Sequence, residues 1–219
     1  MTAFEAARTH MIDSQIRPNK VTDDRLLDAL AQIRRELFVP AHLQPVAYID
    51  EDLAIGRGRY LMEPMVAARL IQTASVQRTD MALVVGAGSG YEAAVLSKLA
   101  RAVVAVEEDE ELARMARAAL VEENIASVSV VEGRLRDGYR QRAPYDVILF
   151  GGAVAEVPSE IVGQLAEEGR LVVVVKAEGV GIGRAILMTR TGGVVGRRVL
   201  FDAAISLLPG LEPKPAFVF

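Results

Sequence analysis

The stretch MALVVGAGSGYEAAVLSKLARAVVAVE, residues 81–107, decides the fold. It begins with a short apolar run, passes through three alternate glycines within residues 86–90, and then takes the composition of a helix. A second apolar run, Ala102–Val106, follows the helix and is closed by Glu107. Short apolar runs bounded by turns are typical of strands that are covered on both faces. The stretch therefore predicts a strand, a glycine turn, a helix and a second strand.

The glycine turn suggests a cradle for a nucleotide-type ligand. Glycine lets the backbone take positive φ and lie directly against a ligand, and the helix that follows presents free N–H groups and a partial positive charge. A carboxylate at the tip of the second strand, here Glu107, can accept hydrogen bonds from both hydroxyls of a ribose. The alternative is that the glycines serve chain geometry alone and that Glu107 is a solvated charge, because short motifs often match by chance.

The spacing of the glycines separates two nucleotide-binding classes. The dinucleotide fingerprint has glycine at its first, third and sixth positions, and the sixth position here is Tyr91. The spacing matches GxGxG instead, the nucleoside-binding turn of S-adenosylmethionine-dependent methyltransferases. An NAD-dependent oxidoreductase is disfavoured by Tyr91 and by the hairpin predicted at the end of the chain.

Strand and helix patterns alternate beyond the turn. Strands are predicted at 82–85, 102–106, 127–131, 145–150 and 170–175, and helices at 91–100, 109–122 and 157–167, with Gly169 just past the last helix. This alternation indicates an α/β, Rossmann-like fold with a mostly parallel, doubly wound sheet. Arg184–Arg190 and Val194–Phe201 flank Thr191-Gly192-Gly193, which predicts a C-terminal antiparallel hairpin.

The residues before the turn are predicted to form an N-terminal helical extension on the substrate side. We expect one single domain over 1–219, with the extension at 1–75 and the ligand-binding core at 76–219. Within the extension, helices are predicted at 4–17 and at 22–35 with Thr22 as N-cap, an irregular lead-in and loop at 36–63, and a helix that begins at Pro64. The tail LLPGLEPKPAFVF, 207–219, is predicted to pack as an extended strap.

Composition excludes several classes of function. The chain has no cysteine, which rules out disulfides, a thiol nucleophile and cysteine-ligated metal, and its two histidines, His10 and His42, lack partners at ligand spacing, so we expect no metal. A net charge of −4 argues against a nucleic-acid partner. The sequence has no apolar run of the ~20 residues that span a membrane and no signal-peptide pattern at its start, so a cytoplasmic location is predicted.

Several stretches resemble protein-L-isoaspartate O-methyltransferases over nearly the whole chain. They are Arg35-Glu36-Leu37-Phe38-Val39-Pro40, the segment from Ala47-Tyr48 to Ile55-Gly56, Glu63-Pro64-Met65-Val66-Ala67, Gly88-Ser89-Gly90-Tyr91-Glu92-Ala93-Ala94-Val95-Leu96, Ala143-Pro144-Tyr145-Asp146 and Gly169-Arg170-Leu171-Val172. The resemblance implies a class I methyltransferase fold, S-adenosylmethionine as the methyl donor, and a carboxylate on a protein or peptide as the acceptor.

The same resemblance implies which residues form the site. The candidate cofactor-binding residues are Gly86, Ala87, Gly88, Ser89, Gly90, Glu107, Glu108, Gly133, Arg134 and Leu135, with Glu107 on the ribose and 133–135 around the adenine. The candidate substrate pocket comprises Arg57, Arg59, Tyr60, Leu61, Met62 and Pro64. No catalytic residue is singled out. A carboxylate acceptor is ionised at neutral pH, so positioning rather than a strong base would carry the catalysis.

Three departures from the family pattern bear on activity. Val84 and Arg134 stand where family members usually carry acidic residues, and Gly58-Arg59-Tyr60-Leu61-Met62 replaces a Gly-Gln-Thr-Ile-Ser run whose hydroxyls serve the reacting carboxylate. Arg57 or Arg59 could hold a carboxylate through charge-assisted bonds, or both could be solvated loop charges. The leading hypothesis is an O-methyltransferase of the isoaspartyl type with an acceptor that could differ. The alternative is an idle methyltransferase-like domain that binds ligand weakly or serves as an interaction protein.

Overall fold

The computed structural model describes residues 2–177 and 179–212. Its α-helices are Ala3–Met11 (α1), Asp24–Gln32 (α2), Pro64–Thr73 (α3), Tyr91–Ser97 (α4), Glu110–Glu122 (α5) and Ser159–Val162 (α6). Its strands are Leu53–Gly56 (β1), Arg59–Leu61 (β2), Met81–Val85 (β3), Ala102–Glu107 (β4), Val128–Glu132 (β5), Tyr145–Val154 (β6), Leu165–Val175 (β7), Gly183–Thr191 (β8) and Val194–Ala203 (β9). A π-helical turn, Ile12–Ile16, follows α1, and short 3-10 turns lie at Arg17–Asn19, Arg35–Phe38, Ala41–Val46, Leu135–Asp137 and Arg140–Arg142.

Seven of the described strands form one sheet in the order β5-β4-β3-β6-β7-β8-β9. The strands from β3 to β7 pair in parallel, and β8 and β9 add antiparallel pairs at one edge. The chain runs outward from β3 to β5 and then returns to β6 on the other side of β3. Ligands of open α/β sheets bind at the carboxyl ends of the strands where the order reverses in this way. Residues 86–90 lie at this point, directly after β3.

The core positions of the sheet alternate between two apolar layers. Leu83 and Val85 face one layer, while Ala82 and Val84 face the other, where the N-terminal helices pack. Both sets are fully buried because helices cover both faces of the sheet. The predicted α/β fold with a parallel sheet and an antiparallel C-terminal hairpin is confirmed.

One predicted helix is shorter than expected and is followed by a strand. The helix expected at 157–167 ends at Val162, and β7 begins at Leu165, so Gly169 lies inside a strand rather than after a helix. Leu165 pairs with Tyr145, and a carbon added at Gly169 would lie 2.7 Å from the Ala166 carbonyl oxygen. The glycine is thus required by a tight bend within the strand, which the helical composition of the segment concealed.

The N-terminal predictions need smaller corrections. The helix expected at 22–35 runs over Asp24–Gln32, and its N-cap is Asp23 rather than Thr22, since the Asp23 carboxylate accepts from Arg25 N at 2.9 Å. The helix expected at 4–17 changes to a π turn after Met11. The segment expected to be irregular contains the β1–β2 hairpin, which sets the position of Arg59.

A buried arginine fixes the N-terminal segment to the helix after the glycine turn. Arg35 is fully buried and donates to the carbonyl oxygens of Ala47 and Met62, each at 2.7 Å. Its guanidinium carbon lies 4.7 Å from the centre of the Tyr91 ring, which also meets Phe38 edge-on at 5.6 Å. Tyr91 stands at the sixth position of the turn because its ring fills this space between the two segments.

Candidate active site

The glycine turn makes the floor of the site. Gly86, Gly88 and Gly90 all have positive φ, at 73°, 55° and 95°, a conformation that other residues rarely adopt. Gly86 N and Ala87 N donate to the Val106 carbonyl oxygen at 2.9 and 3.0 Å, which ties the turn to the tip of β4. The turn therefore lies directly beside Glu107.

Glu107 is buried at the end of β4, and hydrogen-bond donors surround it. Gly88 N donates to its Oε2 at 2.7 Å, while Glu108 N and Asp109 N donate to its Oε1 at 2.9 and 3.1 Å. Arg59 Nη1 lies 2.8 Å from each carboxylate oxygen. The alternative of a solvated strand-end charge is therefore wrong, while the role of Glu107 toward a ribose stays a prediction.

The two candidate arginines have different surroundings. Arg57 lies at the exposed tip of the hairpin, at positive φ, and pairs with Glu111 at 2.5 Å. Arg59 is only 5% exposed, and besides its contacts with Glu107 its Nη2 donates to the Gly86 carbonyl oxygen at 2.6 Å. The guanidinium of Arg59 thus lies in the predicted donor site and also borders the gap lined by Tyr60 and Met62. Its role toward an acceptor stays a prediction.

The Arg59–Glu107 ion pair divides the groove along the carboxyl ends of the strands. On one side is an open cleft of about 320 Å³. Its lining residues are Arg57, Arg59, Glu107, Glu108, Asp109, Leu135, Pro209 and Gly210. On the other side only about 10 Å³ remains. That gap is lined by Asp52, Arg59, Tyr60, Met62, Gly151, Gly152 and Ile205–Leu208.

Apolar side chains cover the glycines on the narrow side. A carbon added at Gly86 would lie 2.9 Å from Leu208 Cδ2, and one at Gly152 would lie 2.8 Å from the same atom. A carbon added at Gly88 would lie 2.9 Å from Ile55 Cδ1. Leu208 is held there because its N–H donates to the Ala153 carbonyl oxygen at 2.8 Å. The first part of the predicted strap is therefore packed along the end of β6, and residues 213–219 lie outside the described part of the chain.

Of the residues predicted around the adenine, Leu135 lines the open cleft. Leu135 is buried, and its N–H donates to Glu108 Oε2 at 3.4 Å. Gly133 N donates to the Glu107 carbonyl oxygen at 3.0 Å, and the Arg134 side chain is exposed. The structure thus brings Glu107, Glu108 and the 133–135 segment together at one edge of the sheet.

The remaining candidate substrate residues lie beyond the ion pair. Tyr60 is 40% exposed, whereas Leu61 and Met62 are buried. Met62 borders the narrow gap, and Pro64 begins α3, as predicted. The Tyr60 phenol is the only hydroxyl in the 58–62 run.

Three polar atoms beside the turn are buried without a hydrogen-bond partner among the described residues. They are Ser89 Oγ, the Tyr91 hydroxyl and Glu92 Oε1. Burial raises the pKa of both Tyr91 and Glu92, which favours their neutral forms. Buried polar atoms usually have partners, so the Ser89 hydroxyl, which lies within the turn, favours a site that receives a polar ligand atom or water. The Tyr91 ring instead packs against Arg35 and Phe38.

Acidic residues cluster where the hairpin meets the C-terminal segment. Asp52 accepts from Glu63 N at 2.9 Å and from Ser206 N at 3.4 Å, and so links the two sides of the narrow gap. Burial, together with the charges of Asp50 and Asp52, raises the pKa of Glu63 to about 6. Burial also raises the pKa of Asp52.

The raised pKa of Glu63 predicts a pH-dependent contribution to stability. Because the pKa of Glu63 in the folded state lies above its ordinary value, the protonated side chain favours the folded state. This stabilisation is fully present below the unfolded-state pKa and is lost as the pH rises through about 6. When the pH is lowered from 7 to 5, the urea midpoint of the natural chain should therefore rise relative to that of Glu63→Gln. Glu110→Gln, at an exposed glutamate, is the control and should parallel the natural chain. Parallel profiles for all three proteins would contradict the prediction.

Sequence reasoning missed the parts of the site that close it. Leu208 was expected only in a strap, and the Gly151-Gly152 pair in β6 was not singled out. A carbon at Gly151 would lie 2.1 Å from the Gly86 carbonyl oxygen, so β6 can approach the turn only with glycine there. Two adjacent glycines inside an apolar strand are a signal of close backbone approach that could have been recognised.

Membrane-spanning helices and metal-binding clusters are both absent from residues 2–177 and 179–212. None of the helices there is long and apolar enough to cross a membrane. No group of three or more histidine, aspartate and glutamate side chains there is arranged to hold a metal ion.

An open α/β sheet with a GxGxG turn after its first parallel strand and an acid at the tip of the second defines a class I S-adenosylmethionine-dependent methyltransferase. The family model for protein-L-isoaspartate(D-aspartate) O-methyltransferase (PCMT) matches residues 6–192. The chain therefore belongs to the protein-L-isoaspartate O-methyltransferase family. That family consists of S-adenosylmethionine-dependent enzymes, and the idle alternative is not favoured.

Curated relatives agree with this assignment, and a solved structure shares the fold. A protein-L-isoaspartate O-methyltransferase of Koribacter versatilis is 41% identical over 173 residues, which cover 79% of this chain and 78% of the relative. One of Roseiflexus castenholzii is 39% identical over 207 residues, 94% of each chain. A Plasmodium falciparum structure described as a putative protein-L-isoaspartate O-methyltransferase in complex with S-adenosylhomocysteine has a TM-score of 0.79 at 18% identity, covering 95% of this chain and 99% of its own. At that identity the likeness shows the fold alone.

Proposed function

We propose that this chain transfers a methyl group from S-adenosylmethionine to a carboxylate of a protein or peptide, with the isoaspartyl carboxylate as the acceptor that the family suggests. The observation that carries the proposal is the buried carboxylate of Glu107 beside three positive-φ glycines at the strand-order reversal. A cytoplasmic location without a nucleic-acid partner belongs to the same proposal.

The chain's own groups fit the donor. The open cleft beside Glu107 and Leu135 suits the nucleoside end, and the partnerless hydroxyl of Ser89 offers a polar contact at the turn. When bound, S-adenosylmethionine supplies a methyl group on a positively charged sulfur. The Glu107 carboxylate would accept hydrogen bonds from the ribose hydroxyls once it is released from Arg59.

The acceptor is proposed to approach from the side of residues 1–75. Tyr60 and Met62 border the narrow gap next to Gly152, where a carboxylate would have to meet the donor. Because the acceptor is already ionised at neutral pH, these residues need only orient it and exclude water. Leu208, which covers Gly86 and Gly152 on this side, would have to move.

Titration with S-adenosylhomocysteine tests the donor site. We expect measurable but modest binding, because the groups for the nucleoside are present while Arg59 and Leu208 occupy part of the groove. Isothermal calorimetry and thermal shift should both respond, since a ligand that binds only the folded state raises its stability. Neither heat nor a thermal shift at millimolar ligand would contradict the proposed donor site.

A further inference from the structure

We propose that Arg59 is an internal competitor for the donor site: its guanidinium takes the place of the ribose on Glu107, and donor binding requires the Arg59–Glu107 pair to open. The inference rests on the proposed function, because it assumes that S-adenosylmethionine and S-adenosylhomocysteine bind along the groove past Glu107.

Competition for one side of the Glu107 carboxylate is the first argument. The N–H groups of Gly88, Glu108 and Asp109 donate to its oxygens from the turn and from the end of β4. Arg59 Nη1 bridges both oxygens at 2.8 Å. Two ribose hydroxyls would need the same open side of the carboxylate. Arg59 and the ribose therefore cannot both be bound to Glu107.

The space in the groove is the second argument. Arg59 Nη2 donates to the Gly86 carbonyl oxygen at 2.6 Å, so the guanidinium spans from the floor of the turn to the tip of β4. It separates a cleft of about 320 Å³ from a gap of about 10 Å³. A ligand that extends from a nucleoside to an amino-acid end has to pass through the position that Arg59 holds.

Charge is the third argument. The Arg59 side chain is 5% exposed, and its guanidinium pairs with Glu107 at 2.8 Å. An arginine at this position adds a charge that must be paired when buried. It is paired with the carboxylate that the nucleoside would use.

The expected consequence is a reduced apparent affinity. When the binding-competent state is a minor fraction of the molecules, the apparent dissociation constant rises by the inverse of that fraction. Removal of the competing guanidinium should then tighten binding without adding any contact to the ligand.

The test compares S-adenosylhomocysteine and adenosine binding to the full chain and its variants by calorimetry. Arg59→Gln should bind S-adenosylhomocysteine at least ~10-fold more tightly than the natural chain, and adenosine should gain by a similar factor because it carries the same ribose. Arg59→Lys, which keeps a charge but loses the bridging geometry, should fall in between and serves if Arg59→Gln does not fold. Arg170→Gln is the matched control and should leave both affinities unchanged, since Arg170 pairs with Asp80 at 2.5 Å at the amino ends of the parallel strands, away from the glycine turn.

The possible outcomes separate this inference from the proposed function. Equal binding by the natural chain and both Arg59 variants overturns the competition and leaves the donor site intact. A gain for S-adenosylhomocysteine without any gain for adenosine also overturns it, because Arg59 would then obstruct only the amino-acid end. Absence of binding by every variant overturns the competition together with the proposed function.

Discussion

The triple variant Arg59→Gln/Tyr60→Thr/Met62→Ser should methylate an isoaspartyl peptide faster than the natural chain by about a hundredfold or more. The substitutions introduce the glutamine and the two hydroxyls of the family's Gly-Gln-Thr-Ile-Ser run. One positioning hydrogen bond made mainly in the transition state is worth about a hundredfold in rate. The natural chain has Met62 buried at the gap, and its 58–62 run carries no small hydroxyl.

Labelled donor and an isoaspartyl peptide provide the measurement. We expect the natural chain to transfer slowly, well below the ~1 per second that is usual for enzymes. The same peptide with an ordinary aspartate is the substrate control, and the thermal midpoint must be followed because Met62→Ser removes buried volume, which typically costs about 2–5 kcal/mol. Transfer by the natural chain at ~1 per second or more would show that the missing hydroxyls do not limit the reaction.

The parallel part of the sheet could be predicted because its pattern is local. Apolar runs such as Met81–Val85 and Ala102–Val106 are buried on both faces, and the glycine turn between them needs positive φ at three fixed positions. Each feature follows from a few neighbouring residues. The position of Glu107 at the tip of β4 follows directly from them.

The chemical state of the site could not be predicted in the same way, because it depends on contacts between distant segments. The β1–β2 hairpin brings Arg59 to Glu107, and the sequence predicts only a loop where this hairpin lies. Leu208 reaches Gly86 only because the C-terminal segment pairs with the end of β6. Sequence spacing does not indicate such partners. It therefore does not distinguish Arg57, which is exposed, from Arg59, which is buried.

Sheet pairing outweighs helical composition in residues 163–168. Residues 163–168 contain leucine, alanine and two glutamates, all good helix formers, yet Leu165 pairs with Tyr145 in the sheet. Helix propensity amounts to a fraction of a kcal/mol per residue, whereas burial of a leucine is worth roughly 1.5–3 kcal/mol. The sheet therefore determines the structure of this segment.

Glu107→Ala should be the most destabilising single change at the site. It leaves the guanidinium of Arg59, which is 5% exposed, without its carboxylate partner. Loss of one partner of a buried ion pair typically costs about 3–5 kcal/mol of the free energy of unfolding. Asp80→Ala is the matched control, and its cost should be smaller because the partner, Arg170, is 20% exposed and can be solvated.

A double-mutant cycle separates the two roles of Glu107. Arg59→Gln/Glu107→Ala removes both charges, so its loss of unfolding free energy should fall short of the sum of the single losses by roughly 1–3 kcal/mol. Additive losses in urea denaturation would show that the pair contributes no coupling.

Binding is then measured in the Arg59→Gln background, where the competing guanidinium is gone. There Glu107→Ala should weaken S-adenosylhomocysteine binding by about 1–3 kcal/mol, because two ribose hydroxyls lose their acceptor. If the affinity is the same with and without the Glu107 carboxylate in that background, Glu107 does not bind the ribose.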